Sequence, residues 1–198
     1  MTVASEIEGV ALTLFREHGF GNVTVDDITT AAGVSPRTFY RYFPTKEDVF
    51  QLQIDRRSRD INDALGVRPE DEPPFESLRS AITQVLATED AELVRLWTDV
   101  VADTPSSLRS VLGGIQLKSQ TLFAEFFADR LGVGADELVP TMLAATVTGV
   151  IQASQIHWYV RGGDLVSTVS EGLRVLQLGF GQDLRSLRAD GGMLGWPG

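Results

Sequence analysis

Residues 24–46 read TVDDITTAAGVSPRTFYRYFPTK, and this stretch decides the fold. Thr24 with Asp27 is a capping pair that starts a short helix, with Val25, Ile28 and Ala32 on one face. Gly33 stops that helix. Ser35 then caps a second one, with Pro36 at the first helical position, where a missing N–H costs nothing. Pro44 ends it. Two helices joined by so tight a turn make a helix-turn-helix, whose second helix lies in the major groove of DNA. Such a helix needs an apolar face for anchoring and a polar face for reading. Val34, Phe39 and Phe43 supply the first, set against Ile28 and Phe15. Arg37, Thr38 and Arg41 supply the second, with Tyr40 and Tyr42 at its flanks.

The residue types fit that task. Arginine can grip O6 and N7 of guanine with two parallel hydrogen bonds, so Arg37, near the helix start, is the leading base reader and Arg41 the second. Thr38 can meet a thymine methyl or a phosphate. Thr24, Tyr42 and Lys46 suit phosphate contacts, because Thr24 and Lys46 stand at expected helix N-termini, where free N–H groups favour an anion. Ser35 and Tyr40 complete the set of donors. The 198-residue chain has a formal net charge of -10, which argues at first against a polyanionic partner. Residues 35–46 nonetheless hold three basic side chains and no acid. Screening over about 8–10 Å at physiological salt lets such a patch act locally.

Outward from this stretch the pattern stays helical, and the fold class expected is all-α. Ser5 with Glu8 reads as a capping box for a first helix whose apolar stripe is Ile7, Val10, Ala11, Leu14 and Phe15 and which ends at Gly19 as a left-handed cap. Gly9 interrupts that helix, at a cost of about 1 kcal/mol relative to alanine, a choice that close packing would explain. Thr45 with Asp48 reads as the start of a fourth helix running to about residue 65. Residues 1–50 are thus expected to form a three-helix DNA-binding domain. Residues 66–74, GVRPEDEPP, break the composition and mark the junction. Residues 66–190 form a second helical domain, with helices near 75–88, 91–103, 106–131, 136–161 and 164–188, and residues 191–198 read as a disordered tail.

Composition excludes several functions. The chain has no cysteine and only two histidines, His18 and His157, so thiolate chemistry and a metal site are not expected. No apolar run of about 18 residues appears, and the first residues lack a signal-peptide pattern; a cytoplasmic protein with no membrane partner is expected. No serine elbow, phosphate loop or cofactor motif is present, so an enzyme with a fused DNA anchor has nothing to carry it. A module that binds only protein is the other alternative, and its activity would not depend on Arg37 and Tyr40.

Over residues 7–50 the sequence resembles the DNA-binding domain of the TetR family of bacterial regulators. The matching features are Ile7, Ala11, Leu14-Phe15, Gly19-Phe20, Thr24 to Ile28, Ala31 to Ser35, Thr38-Phe39-Tyr40, Tyr42-Phe43 and Lys46-Glu47, in the family's order and spacing. The resemblance implies a homodimer with a C-terminal effector-binding and dimerisation domain. It also implies an inverted-repeat operator in double-stranded DNA and repression relieved by a small molecule. Thr24, Ser35, Arg37, Thr38, Tyr40, Tyr42 and Lys46 occupy positions that commonly contact DNA in that family. Arg37 departs from it, standing where many members carry glycine.

Two further assignments concern the second domain. For subunit pairing, small residues Ala145, Thr148, Gly149 and Ala153 allow close approach of one helix, and Leu165, Val169, Leu173, Leu176 and Phe180 form a stripe on the next. For an unidentified effector, the bulky and polar candidates are Trp97, Gln116, Gln120, Phe123, Phe127, Gln155, His157 and Trp158.

Overall fold

The computed structural model describes residues 2–102 and 109–179, and every regular element among them is helical. The helices are α1 (Val3–His18), α2 (Val25–Ala32), α3 (Pro36–Tyr42), α4 (Val49–Gly66), α5 (Pro74–Leu86), α6 (Ala91–Ala102), α7 (Arg109–Leu131), α8 (Leu138–Arg161) and α9 (Leu165–Leu178). A one-turn 3-10 helix, Phe20–Asn22, follows α1.

Apolar periodicity sorts these helices around two cores. The first gathers Ile7, Ala11 and Phe15 of α1, Ile28 of α2, Phe39 and Phe43 from α3 and its end, and Val49, Phe50 and Ile54 of α4. The second gathers Ile61 and Leu65 of α4 with α5, α7, α8 and α9. Helix α4 therefore belongs to both. Val100 of α6 and Ile115 of α7 lie in the first core, so the C-terminal part of the chain reaches under the N-terminal part. Polar contacts reinforce that joint. Trp97 Nε1 donates to the Phe50 carbonyl at 3.2 Å, and Arg57 of α4 donates through Nε and NH2 to the carboxylate of Glu89 at 2.7 and 2.5 Å. Both partners of that pair are nearly buried, at 11% and 12% side-chain exposure. The junction at 66–74 is held as well: Arg68 pairs with Glu72, Ser77 donates to Glu72, and Arg130 of α7 donates to the carbonyls of Pro69 and Glu70.

Several helix ends differ from expectation. Helix α1 starts at Val3, capped by Thr2, whose hydroxyl accepts from the Ser5 N–H. Glu8 is no cap: it shares the inward face with Ala4, Ile7, Ala11 and Leu12. Gly19 does end α1 with a positive φ, but its ψ of 138° is extended and not left-handed helical. Thr45 and Asp48 do bond, with the Thr45 N–H and hydroxyl both donating to the Asp48 carboxylate, yet they close a turn and α4 begins after it. Helix α9 ends at Leu178, where the Gly179 N–H donates to the Leu176 carbonyl, and not at 188. Phe180, the tail at 191–198 and the expected stop at Pro105 lie outside the described residues.

Glycines give two opposite results. A Cβ added at Gly9 would meet nothing within 4 Å, so close packing does not account for it. A Cβ at Gly172 of α9 would come within 2.5 Å of Ser154 Oγ and 3.0 Å of a Val150 methyl, so the approach of α9 to α8 there leaves no room for a side chain. Gly9→Ala should accordingly stabilise the protein by up to about 1 kcal/mol, read as a higher midpoint in urea; a lower midpoint would reveal a contact at that site.

Glu8 is fully buried, and neither of its carboxylate oxygens has a hydrogen-bond partner. The amide oxygen of nearby Gln53 is also unpaired, and Arg56 stands 4.0 Å away with its own side chain partly in solvent. Burial pushes the carboxyl up to about 7, against the pull of Arg56. Below the ordinary value of 4.5 the group is neutral in both folded and unfolded chains. Between 4.5 and about 7 only the unfolded chain gives up the proton, so stability falls as pH rises and levels off above that window. Glu8→Gln should remove this slope, raising stability near neutral pH by roughly 3 kcal/mol at most. Thermal melts of both proteins across the window check it, and parallel pH profiles would contradict it.

Candidate nucleic-acid interface

The α2–turn–α3 unit is built by its caps. Thr24 and Asp27 exchange bonds: the Thr24 N–H donates to the Asp27 carboxylate at 2.8 Å, and the Asp27 N–H donates to Thr24 Oγ1 at 3.2 Å. The Thr24 hydroxyl also donates to that carboxylate, at 2.6 Å, and this bond together with the one from the Thr24 N–H holds the Asp27 carboxyl below its ordinary range. Gly33 closes α2 in the left-handed conformation, φ 66° and ψ 29°. Its N–H donates to Thr30, and the Val34 N–H reaches back to Thr29, which satisfies the last carbonyls of the helix. A side chain at Gly33 would be strained there. Ser35 then accepts from the Thr38 N–H at 3.1 Å, and Pro36 occupies the first turn.

Two side chains fix the rotation of α3. Phe39 and Phe43 are buried in the first core, their ring centroids 5.3 Å apart. With those positions inward, Arg37, Tyr40 and Arg41 face solvent. Tyr40 is 54% exposed and stands edge-on to Phe39. Arg37 makes no hydrogen bond or ion pair among the described residues, so its guanidinium is unengaged. Arg41 lies over the ring of Tyr42, 4.7 Å from its centroid, and donates to the Tyr42 hydroxyl at 3.0 Å. Thr38 is half-buried and its hydroxyl is shared with that of Ser35. Thr24 and Ser35 are exposed at the two helix starts. This arrangement offers one helix face with two guanidiniums a turn apart, flanked by two phenol groups.

Lys46 behaves differently from the other donors. It precedes α4 by three residues, so it does not stand at that helix's N-terminus. Its ammonium donates to the carbonyls of Phe20 and Val23, both at 2.7 Å, and lies 4.2 Å from the centroid of the Phe20 ring.

The residues expected at a subunit interface divide. Leu165, Val169 and Leu173 are buried in the chain's own second core, and Leu176 packs against it. Thr148 is buried too, donating to the Ala144 carbonyl. They therefore offer a second subunit little surface. Ala145, Gly149 and Ala153 of α8 do face outward. They sit on a longer stripe, Leu138, Met142, Ala145, Gly149, Ala153, Ile156 and Val160, spaced at three to four residues, whose large members the sequence reading missed. Leu138 is 78% exposed and Val160 68%. The signal was available, because α8 has no Asp, Glu, Lys or Arg before Arg161 and is apolar on opposite faces. Despite this, no helix among the described residues is long and apolar enough to cross a membrane.

The proposed effector residues do not converge on one cavity. Phe123 and Phe127 are packed within the second core, Trp97 belongs to the joint with α4, and Gln155 donates to Thr98 at 2.7 Å. Gln116 is exposed; Gln120 and His157 are half-buried. Trp158 alone lines a cleft, of about 380 Å³, between the start of α6 and the α8–α9 turn. Arg95, another residue missed from the sequence, lies 4.4 Å from the Trp158 ring centroid and also borders a neighbouring cleft of about 420 Å³ with Arg16, Asp99 and Tyr159.

Comparison with known proteins bears on the whole chain. The profile of the bacterial regulatory proteins of the tetR family matches residues 9–52, and that of the MftR C-terminal domain matches residues 72–181. The transcriptional regulator TcmR of Streptomyces glaucescens is 30% identical over 189 residues, covering 91% of this chain and 80% of its own. The chain belongs to the TetR family. Like other members of the TetR family it is a DNA-binding transcriptional regulator. The mycofactocin biosynthesis regulator MftR of Mycobacterium tuberculosis is 28% identical over 173 residues, 79% of this chain and 80% of that protein. Among solved structures, the fatty acid degradation regulator FadR of Bacillus halodurans superimposes with a TM-score of 0.67 at 22% identity, covering 91% of this chain and 97% of that one. Its architecture is the same TetR arrangement of an N-terminal helix-turn-helix and a C-terminal helical domain.

Proposed function

We propose that this TetR-family regulator acts as a homodimeric repressor that leaves its operator when a small molecule binds the C-terminal domain. The observation that carries the reading is the outer face of α8. A helix apolar on opposite sides has two partners to bury against, and the chain's own core uses only one side. A second copy presenting the same stripe about a two-fold axis would cover the other, and the exposed small residues Ala145 and Gly149 let the two helices approach closely. Two reading helices related by that axis would meet an inverted repeat. In each, Arg37 reads a base, Arg41 and Tyr40 lie against the same groove, and Thr24, Ser35, Thr38 and Tyr42 border the backbone.

Effector binding is supported by the clefts beside Arg95. An indole wall with a guanidinium lying over it suits a mostly apolar molecule that carries a negative or hydrogen-bonding group. Solved structures of the same fold include FadR of Thermus thermophilus in complex with lauroyl-CoA and a SmeT–triclosan complex. Release follows from population shift: an effector that binds better to a head spacing unfit for the operator draws the dimer off DNA. Helix α6 supplies the route, since Arg95 lines the cleft while Trp97 and Val100 join α4 and the first core.

Selection of genomic fragments by the purified protein, with Arg37→Ala/Tyr40→Ala as control, tests the reading. An inverted repeat recovered by the intact protein alone is expected; identical recovery by both would refute it. At the recovered site, Arg37→Ala should cost about 1–3 kcal/mol and relax preference at one base pair per half-site. A uniform loss on every sequence would move Arg37 to the phosphates. A Cβ at Gly149 meets nothing within 4 Å in its own subunit, so Gly149→Trp should leave the fold intact, yield a monomer by light scattering and abolish tight operator binding. A normal dimer mass would remove α8 from the interface.

A further inference from the structure

Among the cationic side chains near α3, Lys46 alone has turned its charge inward. Its ammonium carries three N–H groups. Two donate to the carbonyls of Phe20 and Val23 at 2.7 Å, and the same ammonium sits 4.2 Å from the Phe20 ring centroid. The acceptors lie 26 and 23 residues earlier in the chain. They belong to the 3-10 turn after α1 and to Val23, immediately before the N-cap of α2. Phe20 and Val23 are buried in the first core, where Phe20 packs against Phe15 and Phe50. One side chain thus ties the segment leaving α3 to the segment entering α2. With Phe39 and Phe43 fixing the rotation of α3, this tie fixes its end relative to the start of α2.

We propose that Lys46 is a positioning residue for operator recognition: it clamps the α3–α4 turn onto the α1–α2 loop and so aims Arg37, and it is not a phosphate contact. The inference rests on the reading that the α3 face recognises an operator. Only the third N–H is left for a phosphate, and moving the ammonium outward to one would break two charge-assisted hydrogen bonds and an aromatic contact. Neutralising a phosphate in addition would also show in the salt dependence of binding, because each such contact adds about 0.9 to the slope of log affinity against log salt. A positioning residue leaves that slope alone and alters discrimination.

The experiment compares wild type, Lys46→Met and Lys46→Arg on the operator recovered by wild-type selection and on an unrelated duplex, across a salt series well below the melting temperature. For Lys46→Met we expect operator affinity to fall by about tenfold or more, about 1.4 kcal/mol, with binding to the unrelated duplex and the salt slope unchanged, and partial recovery in Lys46→Arg. Equal losses on both duplexes with a shallower slope would make Lys46 a phosphate contact and overturn the proposal. Unchanged operator affinity would also overturn it, by leaving the clamp no part in recognition. If wild type recovers no preferred sequence, the operator reading itself fails and the inference with it.

A second measurement does not depend on a variant that folds. The chain has only two lysines, Lys46 and Lys118, and Lys118 is 55% exposed. Acetylation of the wild-type protein, followed by mass spectrometry, should modify Lys46 much more slowly than Lys118, with no further protection when operator DNA is added. Rapid modification of Lys46 that DNA suppresses would overturn the clamp.

Discussion

One unbroken helix is shared by two hydrophobic cores, and the rest of the structure is arranged around that constraint. Val49, Phe50 and Ile54 at the start of α4 are buried with the helix-turn-helix, while Ile61, Ala64 and Leu65 near its end are buried among α5, α7, α8 and α9. No flexible linker separates the reading head from the body. The segment after α4, rich in proline and acid, is itself fastened by Arg68, Glu72 and Arg130. The head can change its attitude only if α4 moves, and α4 is held from the side by the Arg57–Glu89 pair and the Trp97 bond to Phe50. Removing either partner of the Arg57–Glu89 pair would leave a nearly buried charge uncompensated, which costs more than the pair itself contributes.

The electrostatics follow the same division. The chain is strongly acidic overall, yet its recognition helix presents basic and phenolic groups without a carboxylate among them. That helix is short and makes no large core of its own; Phe39 and Phe43 hold it in place, which leaves its outer face to donors. Charge near the helix serves two purposes. Arg37 is unengaged and points to solvent, whereas Lys46 is turned to backbone carbonyls within its own domain.

Local chemistry was legible in the sequence wherever one turn of chain decided the outcome. Thr24 with Asp27, Gly33, and Ser35 with Pro36 each act within four residues, and each forms as read. Where two distant segments compete for a side chain, reading by spacing failed. Ser5 and Glu8 have the spacing of a capping box, but α4 lies against that face of α1 and buries Glu8. Thr45 and Asp48 bond as a box does and yet close a turn before the helix. The leucines of α9 form a stripe of the kind that pairs subunits, but the chain's own core already covers them. The small residues of α8 were read as a close-approach surface, but Leu138, Met142, Ile156 and Val160 escaped notice because apolar residues on both sides leave little amphipathic contrast, although the lack of charge before Arg161 was visible throughout. Lys46 could not have been read, since its partners are backbone atoms brought near only by folding.

The 18 residues of α4 make a lever. At 1.5 Å per residue it is about 27 Å long. Tilting such a rod by about 5° around its upper end carries the lower end through roughly 2 Å, more than the length tolerance of a hydrogen bond. Guanidinium contacts to base edges are bonds of that kind. A rearrangement at the far end too small to disturb packing in the second core would therefore be amplified into one that the reading helix cannot absorb. Sensitivity of this kind comes from length and stiffness, and it requires no change of fold.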